Sequence, residues 1–489
     1  MKKLYLKLLF IFIGLLLLSI IGYFSFLIYK VDTVGKKITI REVLENPKGS
    51  FLKTIRSFAA PGAKETLRGY DEGRINILLL GTAGPGKPGQ NLTDTLMVLS
   101  LDPQSGRVAF LSLPRDLYVP VPFLNFGTKI NSVYQLGLNN AGQDRRAAAE
   151  IILKTVEDVT TLKLDYYVIL NFDGFEKIID SLGGINVQNE RDIYDPSYPG
   201  PNYSYETFEL PKGFQHLTGA TALKYARERH DDPEGDFGRA KRQQQIMEAA
   251  KNKFFSAGTL LNVFSLNEIF DALGENIVTD IAPEEIAGFL ELAKTSDTRN
   301  ATNVVVDAWK KDSLLKVYHV PTDNGLAFAL VPRTGNWSEI QELSKNIFQL
   351  EQLEKKRAKI QEEAARLIII NKSGNFSLSE KIRRLLSSGL NYADVSILTD
   401  KNSFLEEKSA VVDLTNGQKP FSLEEIALKL PAAVSYQVPA WLQAALGNQE
   451  ADLVIVLGKD LIDSYNKEEG TVEDLEKTRA EEEISTLKF

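Results

Sequence analysis

Ile75-Asn76-Ile77-Leu78-Leu79-Leu80 is apolar but for one residue and runs straight into Gly81. Two more apolar runs follow, at 96–101 and 108–113, and Gly, Pro and Asp bound them. Runs of this length between turn residues suit strands buried on both faces, because a strand with one wet face would alternate. The stretch 166–172 reads as a further strand. Residues 147–159 read as a helix between them, and 175–182 as a second helix, closed by Gly183-Gly184. Strands alternating with helices make this an α/β fold.

Downstream, 217–255 reads as helical but broken. Thr218 can cap a helix carrying Ala222, Leu223 and Ala226, and Pro233 must interrupt it. Asp236 then sits where a first-turn acid is wanted, before a helix running to about 255. Trp337, Ile340, Leu343, Ile347, Leu350 and Leu353 recur at three- and four-residue spacing, as in an amphipathic helix that continues into a charged, solvated connector. A smaller α/β unit follows, with strands expected near 367–370, 395–398, 410–414 and 453–457 and helices near 379–386 and 423–430. The expected layout is a cytoplasmic N-terminus (1–7), a membrane span (8–28), a spacer (29–73) and a main domain (74–349). A connector (350–366), a second α/β domain (367–463) and an acidic tail (464–489) complete it.

The chain has 489 residues, 43% hydrophobic and 25% charged, and a formal charge of −8. That balance argues against a nucleic-acid binder, which needs a basic face. The absence of cysteine excludes disulfides, thiolate metal sites and a cysteine nucleophile. The three histidines, His216, His230 and His319, are far apart, and no spacing suggests a zinc site or a Ser-His-Asp triad. Residues 8–28 carry no charge and as a helix would span roughly 30 Å, one bilayer core. Lys2, Lys3 and Lys7 precede them, which keeps the N-terminus in the cytoplasm and puts the rest outside. A cleaved signal peptide would have a shorter apolar core and small residues after it, whereas Tyr23-Phe24-Ser25-Phe26 prolongs the run.

Gly81-Thr82-Ala83-Gly84-Pro85-Gly86-Lys87 imitates a nucleotide-binding P-loop. The imitation fails at Pro88-Gly89, where Ser or Thr and a helix start are needed. The plainer reading is a glycine-rich loop at a strand end. Chemistry concentrates elsewhere, in two stretches. One holds Asp94, Arg115, Asp116, Lys129 and Asn131. The other holds Arg227, Arg229, Asp236, Arg239, Arg242 and Gln243. Strand ends are where α/β sheets place ligands, and Arg239 and Gln243 share a helix face. Arginine forks match phosphate oxygens, and Mg²⁺ is held by a few carboxylates plus phosphate. A surface salt-bridge network is the competing reading of the same charges, although Arg115-Asp116 directly follows an apolar strand and would be partly buried.

The order and spacing of several motifs resemble the LytR–CpsA–Psr family from 74 to about 349. They are Leu92-Thr93-Asp94-Thr95, Ser112-Leu113-Pro114-Arg115-Asp116, Lys129-Ile130-Asn131-Ser132-Val133-Tyr134, Gly183-Gly184-Ile185, Tyr225-Ala226-Arg227-Glu228-Arg229, Asp236-Phe237-Gly238-Arg239 and Arg242-Gln243-Gln244. The resemblance implies a single-span anchor and an external α/β domain with a central mixed sheet flanked by helices. It also implies a polyprenyl-pyrophosphate glycolipid bound in a long apolar pocket, and peptidoglycan as acceptor. The implied activity is a phosphotransferase that attaches teichoic acid, capsule or a similar polymer and releases polyprenyl phosphate. By the same resemblance Arg115, Lys129, Arg227, Arg229, Arg239 and Gln243 would bind the pyrophosphate, Asp94 would ligate Mg²⁺, and Asp116, Asn131, Asp236 and Arg242 would support them. No protein nucleophile is required. Many members carry a second metal-binding aspartate after the first strand, where this chain has Gly81-Thr82-Ala83-Gly84. Residues 367–463 resemble, by pattern, the LytR C-terminal domain. Rival readings are a pyrophosphatase acting on the same lipid, a non-catalytic polymer-binding protein, and a regulator, for which no helix-turn-helix pattern is present.

Overall fold

Ile75–Thr82 forms an interior strand of a six-stranded sheet, antiparallel to Thr93–Leu101 and parallel to Tyr166–Asn171 in a computed structural model. The structure describes residues 63–122, 124, 126–200, 204–228, 232, 235–256, 276–308, 313–322, 325–400 and 404–466. The sheet order is Ile277–Thr279, Tyr166–Asn171, Ile75–Thr82, Thr93–Leu101, Arg107–Leu113, Asp297–Val305. The first of these runs antiparallel to its neighbour and the last parallel, so the sheet is mixed. Both faces are covered, as the unbroken apolar runs require. Ile75, Ile77, Met97, Phe110 and Tyr166 pack in one cluster, while Leu78, Leu80 and Val98 are also buried. Each such side chain contributes roughly 1.5–3 kcal/mol by leaving water.

Asn76, the polar residue in the opening run, is buried but fully engaged. Its Oδ1 accepts from Arg74 Nε and Ser100 Oγ, each at 2.8 Å, its Nδ2 donates to the Lys163 carbonyl at 2.9 Å, and its N–H donates to Asp165 at 2.9 Å. It therefore clamps the start of three segments instead of breaking the strand.

The chain divides into two compact units by contact. The first comprises Met1–Ser112, Ser132–Leu153 and Lys163–Val305, and the second Leu113–Asn131, Lys154–Leu162 and Val306–Phe489. In the first unit, the described end of the expected spacer is part of the folded body. Ala63–Thr66 forms a single turn, Leu67 joins the core cluster, and the Arg68 guanidinium lies 3.8 Å over the Tyr166 ring. The expected span at 8–28 lies outside the described residues. Among those residues no helix is long and apolar enough to cross a membrane.

The turn between the second and third strands carries a titration signature. Burial opposes charge on Asp102. Its carboxylate nonetheless accepts from Ser105 N–H at 2.9 Å, Gln104 N–H at 3.1 Å and Arg107 at 2.9 Å, which hold its pKa down to about 2. A depressed carboxylate stabilises the fold above its ordinary value of 3.8, and that stability drains away as pH falls through about 2. Asp102→Asn is therefore expected to melt below wild type at neutral pH, with the gap closing by pH 2. Thermal unfolding followed by circular dichroism across that range checks it.

Helix Phe172–Ser181 is capped by Asn171, whose side chain accepts from Gly174 N–H at 2.8 Å, and it ends at Gly183-Gly184, both at positive φ. Helix Gly219–Arg227 packs on it so closely that a Cβ on Gly219 would lie 2.3 Å from the Glu176 carbonyl oxygen. Thr218 caps that helix as expected. The next helix runs Gly235–Phe254.

The second unit contains a hairpin, Leu315–Thr322 with Gly325–Pro332, and a smaller one, Tyr118–Pro120 with Gly127–Lys129. Its largest sheet has the order Asp394–Leu398, Arg366–Asn371, Leu453–Leu457, Ala410–Asp413, Ala433–Ser435, with one antiparallel pairing, between Ala410–Asp413 and Leu453–Leu457. The single amphipathic helix expected over 337–366 is two helices, Ser338–Lys345 and Leu350–Glu363. Nor is the second one solvated throughout. Ile360 is in the core beside Leu367 and Leu453, and the Glu363 carboxylate accepts from Phe421 N–H at 2.9 Å and Ser422 N–H at 2.7 Å, capping Pro420–Lys429. Three- and four-residue spacing is the same in one helix or two, so periodicity could not reveal the break.

Candidate active site

The sequence-derived site residues fall into two groups, one in each unit. In the first unit the carboxyl end of Ile75–Thr82 is where the pairing becomes irregular. Gly81 pairs with Thr95 and Thr82 with Thr93, which leaves Asp94 as the extra residue of a β-bulge. Bulges of this kind re-aim a side chain at the rim of a sheet. Asp94 is half-buried, next to the fully buried Thr93. On the other side, Thr82 pairs with Asn171, and Phe172 begins the following helix.

Arg227 is the last residue of its helix and exposed, yet its guanidinium is supported. It lies 4.6 Å over the Phe172 ring and 5.8 Å from the centre of the Tyr198 ring. Stacking on aromatic faces fixes the plane of the fork without consuming its hydrogen-bond donors. Burial pushes the Tyr198 hydroxyl up to about 12, so the ring stays neutral beneath the cation.

Arg242, from the next helix, secures the backbone on both sides of Arg227. Its side chain is buried. It donates through Nε to the Tyr225 carbonyl at 3.0 Å and through Nη2 to the Glu228 carbonyl, and pairs through Nη1 with Asp232, whose side chain is almost wholly buried. The neighbouring glutamines divide the remaining ties. Gln243 donates to the Ala226 carbonyl at 3.3 Å, Gln244 to the Thr298 carbonyl at 3.0 Å, and Gln245 accepts from Tyr225 Oη at 2.7 Å. Gly238 is required in the same place, because a Cβ there would lie 2.0 Å from Asp232 Oδ2. Arg239 is half-buried on this helix. Arg229 and the Asp236 side chain lie outside the described residues.

In the second unit, Lys129 Nζ donates to Asp116 at 2.7 Å, and Arg115 Nε lies 3.6 Å from the same carboxylate. All three side chains are about a quarter to two-fifths exposed, in keeping with the partial burial expected of charges that follow an apolar strand. Their backbone is held by β-type contacts. Asn131 N–H donates to the Arg115 carbonyl at 3.2 Å, and Leu330 N–H to the Asp116 carbonyl at 2.9 Å. Asn131 is buried in the short turn Ile130–Ser132.

The glycine-rich loop is no P-loop: a strand, not a helix, follows it. Lys87 pairs with Asp173, and Gly84 N–H donates to the Gln90 carbonyl at 3.0 Å, folding the loop over the strand end. Among the described residues no three His, Asp or Glu side chains converge as a ready-made metal cage. Asp94 faces Gly81 and Thr82 where the second family aspartate is expected. One carboxylate suits an ion such as Mg²⁺ that keeps its waters and takes its other ligands from substrate phosphates.

The model of the LytR_cpsA_psr family matches residues 51–323. The chain belongs to this family. A LytR_cpsA_psr protein of Bacillus mycoides, named polyisoprenyl-teichoic acid–peptidoglycan teichoic acid transferase TagU, is 30% identical over 287 residues, covering 58% of this chain and 82% of its own. A TagU of Oceanobacillus iheyensis is 32% identical over 217 residues, 44% of this chain and 62% of its own. Among solved structures, B. subtilis TagV is 26% identical across 56% of this chain and 96% of that chain, with a TM-score of 0.42. TagT bound to LIIa-WTA is 20% identical across 56% and 90%, with a TM-score of 0.39.

The family motif names Arg227 but not what holds it. Phe172 and Tyr198 come from distant segments, and no spacing pairs them with an arginine. Asp232 was visible only as one acid in the break between two helices.

Proposed function

We propose that this chain is a glycopolymer–peptidoglycan phosphotransferase of the cell envelope. Its donor is a polyprenyl-pyrophosphate-linked polymer of the teichoic acid or capsule type, as the transferase name of its relatives suggests. A peptidoglycan hydroxyl oxygen attacks the polymer-side phosphorus, the bond from that phosphorus to the bridging oxygen breaks, and polyprenyl phosphate leaves. The hydroxyl proton passes to a base or to water. No covalent enzyme intermediate is needed, so catalysis is positioning plus neutralisation of phosphoryl charge.

The observation that carries this reading is Arg227, an exposed guanidinium braced on two rings at the carboxyl end of the sheet. Arg227, Arg229 and Arg239 would bind pyrophosphate oxygens, as would Arg115 and Lys129, with Asp116 orienting the last two. Gln243 would reach the pyrophosphate as well, and Arg242 positions the backbone around Arg227. Magnesium, held by Asp94 and substrate oxygens, would supply extra neutralisation of the diphosphate. Residues 8–28 would anchor the chain in the cytoplasmic membrane with the catalytic part outside, and 367–463 would be a LytR C-terminal-type domain.

The test uses the full-length chain in detergent, because Leu67 belongs to the core and Arg68 stacks on Tyr166, and shortening the chain to residue 74 would remove both. It is incubated with a polyprenyl-pyrophosphate glycan and peptidoglycan fragments, with and without Mg²⁺. Wild type should release polyprenyl phosphate and label the peptidoglycan. Asp94→Asn should lose most of any Mg²⁺-dependent rate. Release without labelling would make the protein a pyrophosphatase, and bound lipid without turnover would make it a binding protein.

A further inference from the structure

Beneath the glycine-rich loop lies a cavity of about 340 Å³ that the phosphate chemistry does not use. Ile169 and Val278 form its floor. Ile169 alternates along its strand with Val168, which packs on the Tyr166 side of the sheet, so the cavity opens on the opposite face. Asn91, Asn171, Asn276, Gln143, Tyr134 and Arg145 give it its chemistry. Asn171 Oδ1 already accepts from Gly174 N–H at 2.8 Å and Gln143 Nε2 donates to the Leu138 carbonyl at 3.4 Å, which leaves the Asn171 amide donors and the Gln143 amide oxygen to meet a ligand. That inventory matches vicinal hydroxyls and an N-acetyl group. Among the described residues the walls hold no carboxylate and one cation, which disfavours a second metal or a highly charged ligand.

Two details point to an occupant. Tyr134 is 4% exposed, and burial raises the pKa of its hydroxyl, which stays a neutral donor. Its ring also supplies the apolar face against which a sugar packs. The second detail is position. Asn171, in the cavity wall, directly precedes Phe172, the ring on which Arg227 lies. A ligand here would sit beside the guanidinium that holds phosphate. The volume is at the small end of the roughly 300–1,000 Å³ typical of ligand sites, enough for sugar rings and far short of a polyprenyl chain.

We propose that this cavity is a saccharide subsite for a neutral N-acetylated sugar next to the reacting phosphate, an inference that rests on the phosphotransferase reading. The sugar could come from the peptidoglycan acceptor or from the polymer end of the donor. Saturation-transfer NMR on the full-length chain in detergent distinguishes the two, using a lipid-free peptidoglycan disaccharide and, separately, the lipid-free polymer disaccharide. Tyr134→Phe deletes only the hydroxyl and Asn91→Ala only one amide. Each should weaken binding by about tenfold, the worth of one or two neutral hydrogen bonds. Weakening confined to the peptidoglycan sugar assigns the subsite to the acceptor, and weakening confined to the polymer sugar assigns it to the donor. Binding of both sugars unchanged in both variants would overturn the proposal. A chain that binds sugar through Tyr134 and Asn91 yet transfers nothing would retain the subsite and remove the transferase reading instead.

Discussion

Arg227→Ala is expected to slow glycopolymer transfer by about a hundred- to a thousandfold, the usual cost of deleting one charge-stabilising donor from a phosphoryl or acyl transfer site. The expectation rests on how the side chain is held. It is exposed and touches two rings, so the fold loses only cation–π contacts of about 0.5–1 kcal/mol each when it goes. Thermal unfolding should therefore move little while polyprenyl phosphate release collapses. Arg227→Lys should fall between, because it restores the charge but neither the planar fork nor the stacking. Transfer at the wild-type rate in Arg227→Ala would show that pyrophosphate is held elsewhere.

The opposite pattern is expected at Arg242. Its guanidinium satisfies two backbone carbonyls and the buried Asp232 carboxylate. Arg242→Ala would strand all three, and leaving a buried charge without its partner costs about 3–5 kcal/mol. For a unit of this size that lowers the melting temperature by on the order of 10 °C. Neutralising the stranded acid should recover part of the loss, so Arg242→Ala with Asp232→Asn is expected to melt above Arg242→Ala alone. Circular dichroism melts of the three variants test this. Equal melting of wild type and Arg242→Ala would mean that the buried network does not hold this segment.

These two arginines mark how far sequence reading reached. The apolar runs at 75–80, 96–101 and 108–113 placed three central strands, because burial on both faces leaves an unalternated pattern. That Gly219–Arg227 and Gly235–Phe254 are separate helices was legible from the proline between them. The separate roles of Arg227 and Arg242 were not, since both are arginines in a family motif and only packing tells a braced, exposed cation from a buried tie. Gln243 was expected on pyrophosphate, and sequence did not show that its amide also donates to the Ala226 carbonyl. Tertiary hydrogen bonding to a carbonyl seventeen residues away leaves no local trace. The polar Asn76 within an apolar strand was likewise unreadable, since its partners come from Arg74, Ser100, Lys163 and Asp165.

The bulge at Asp94 also sets where this protein can change length. Removing a residue inside the strand after Asp94 would turn Met97 and the side chains that alternate with it to the wrong faces, a change the core would not survive. The glycine-rich loop just before it is free of that parity rule, and closing a longer loop costs only about 0.6 kcal/mol per doubling. Insertions and deletions are thus channelled into the loop that roofs the amide-lined cavity. A lineage could resize that cavity, and with it the sugar it admits, while the carboxylate at the sheet rim stays where it is.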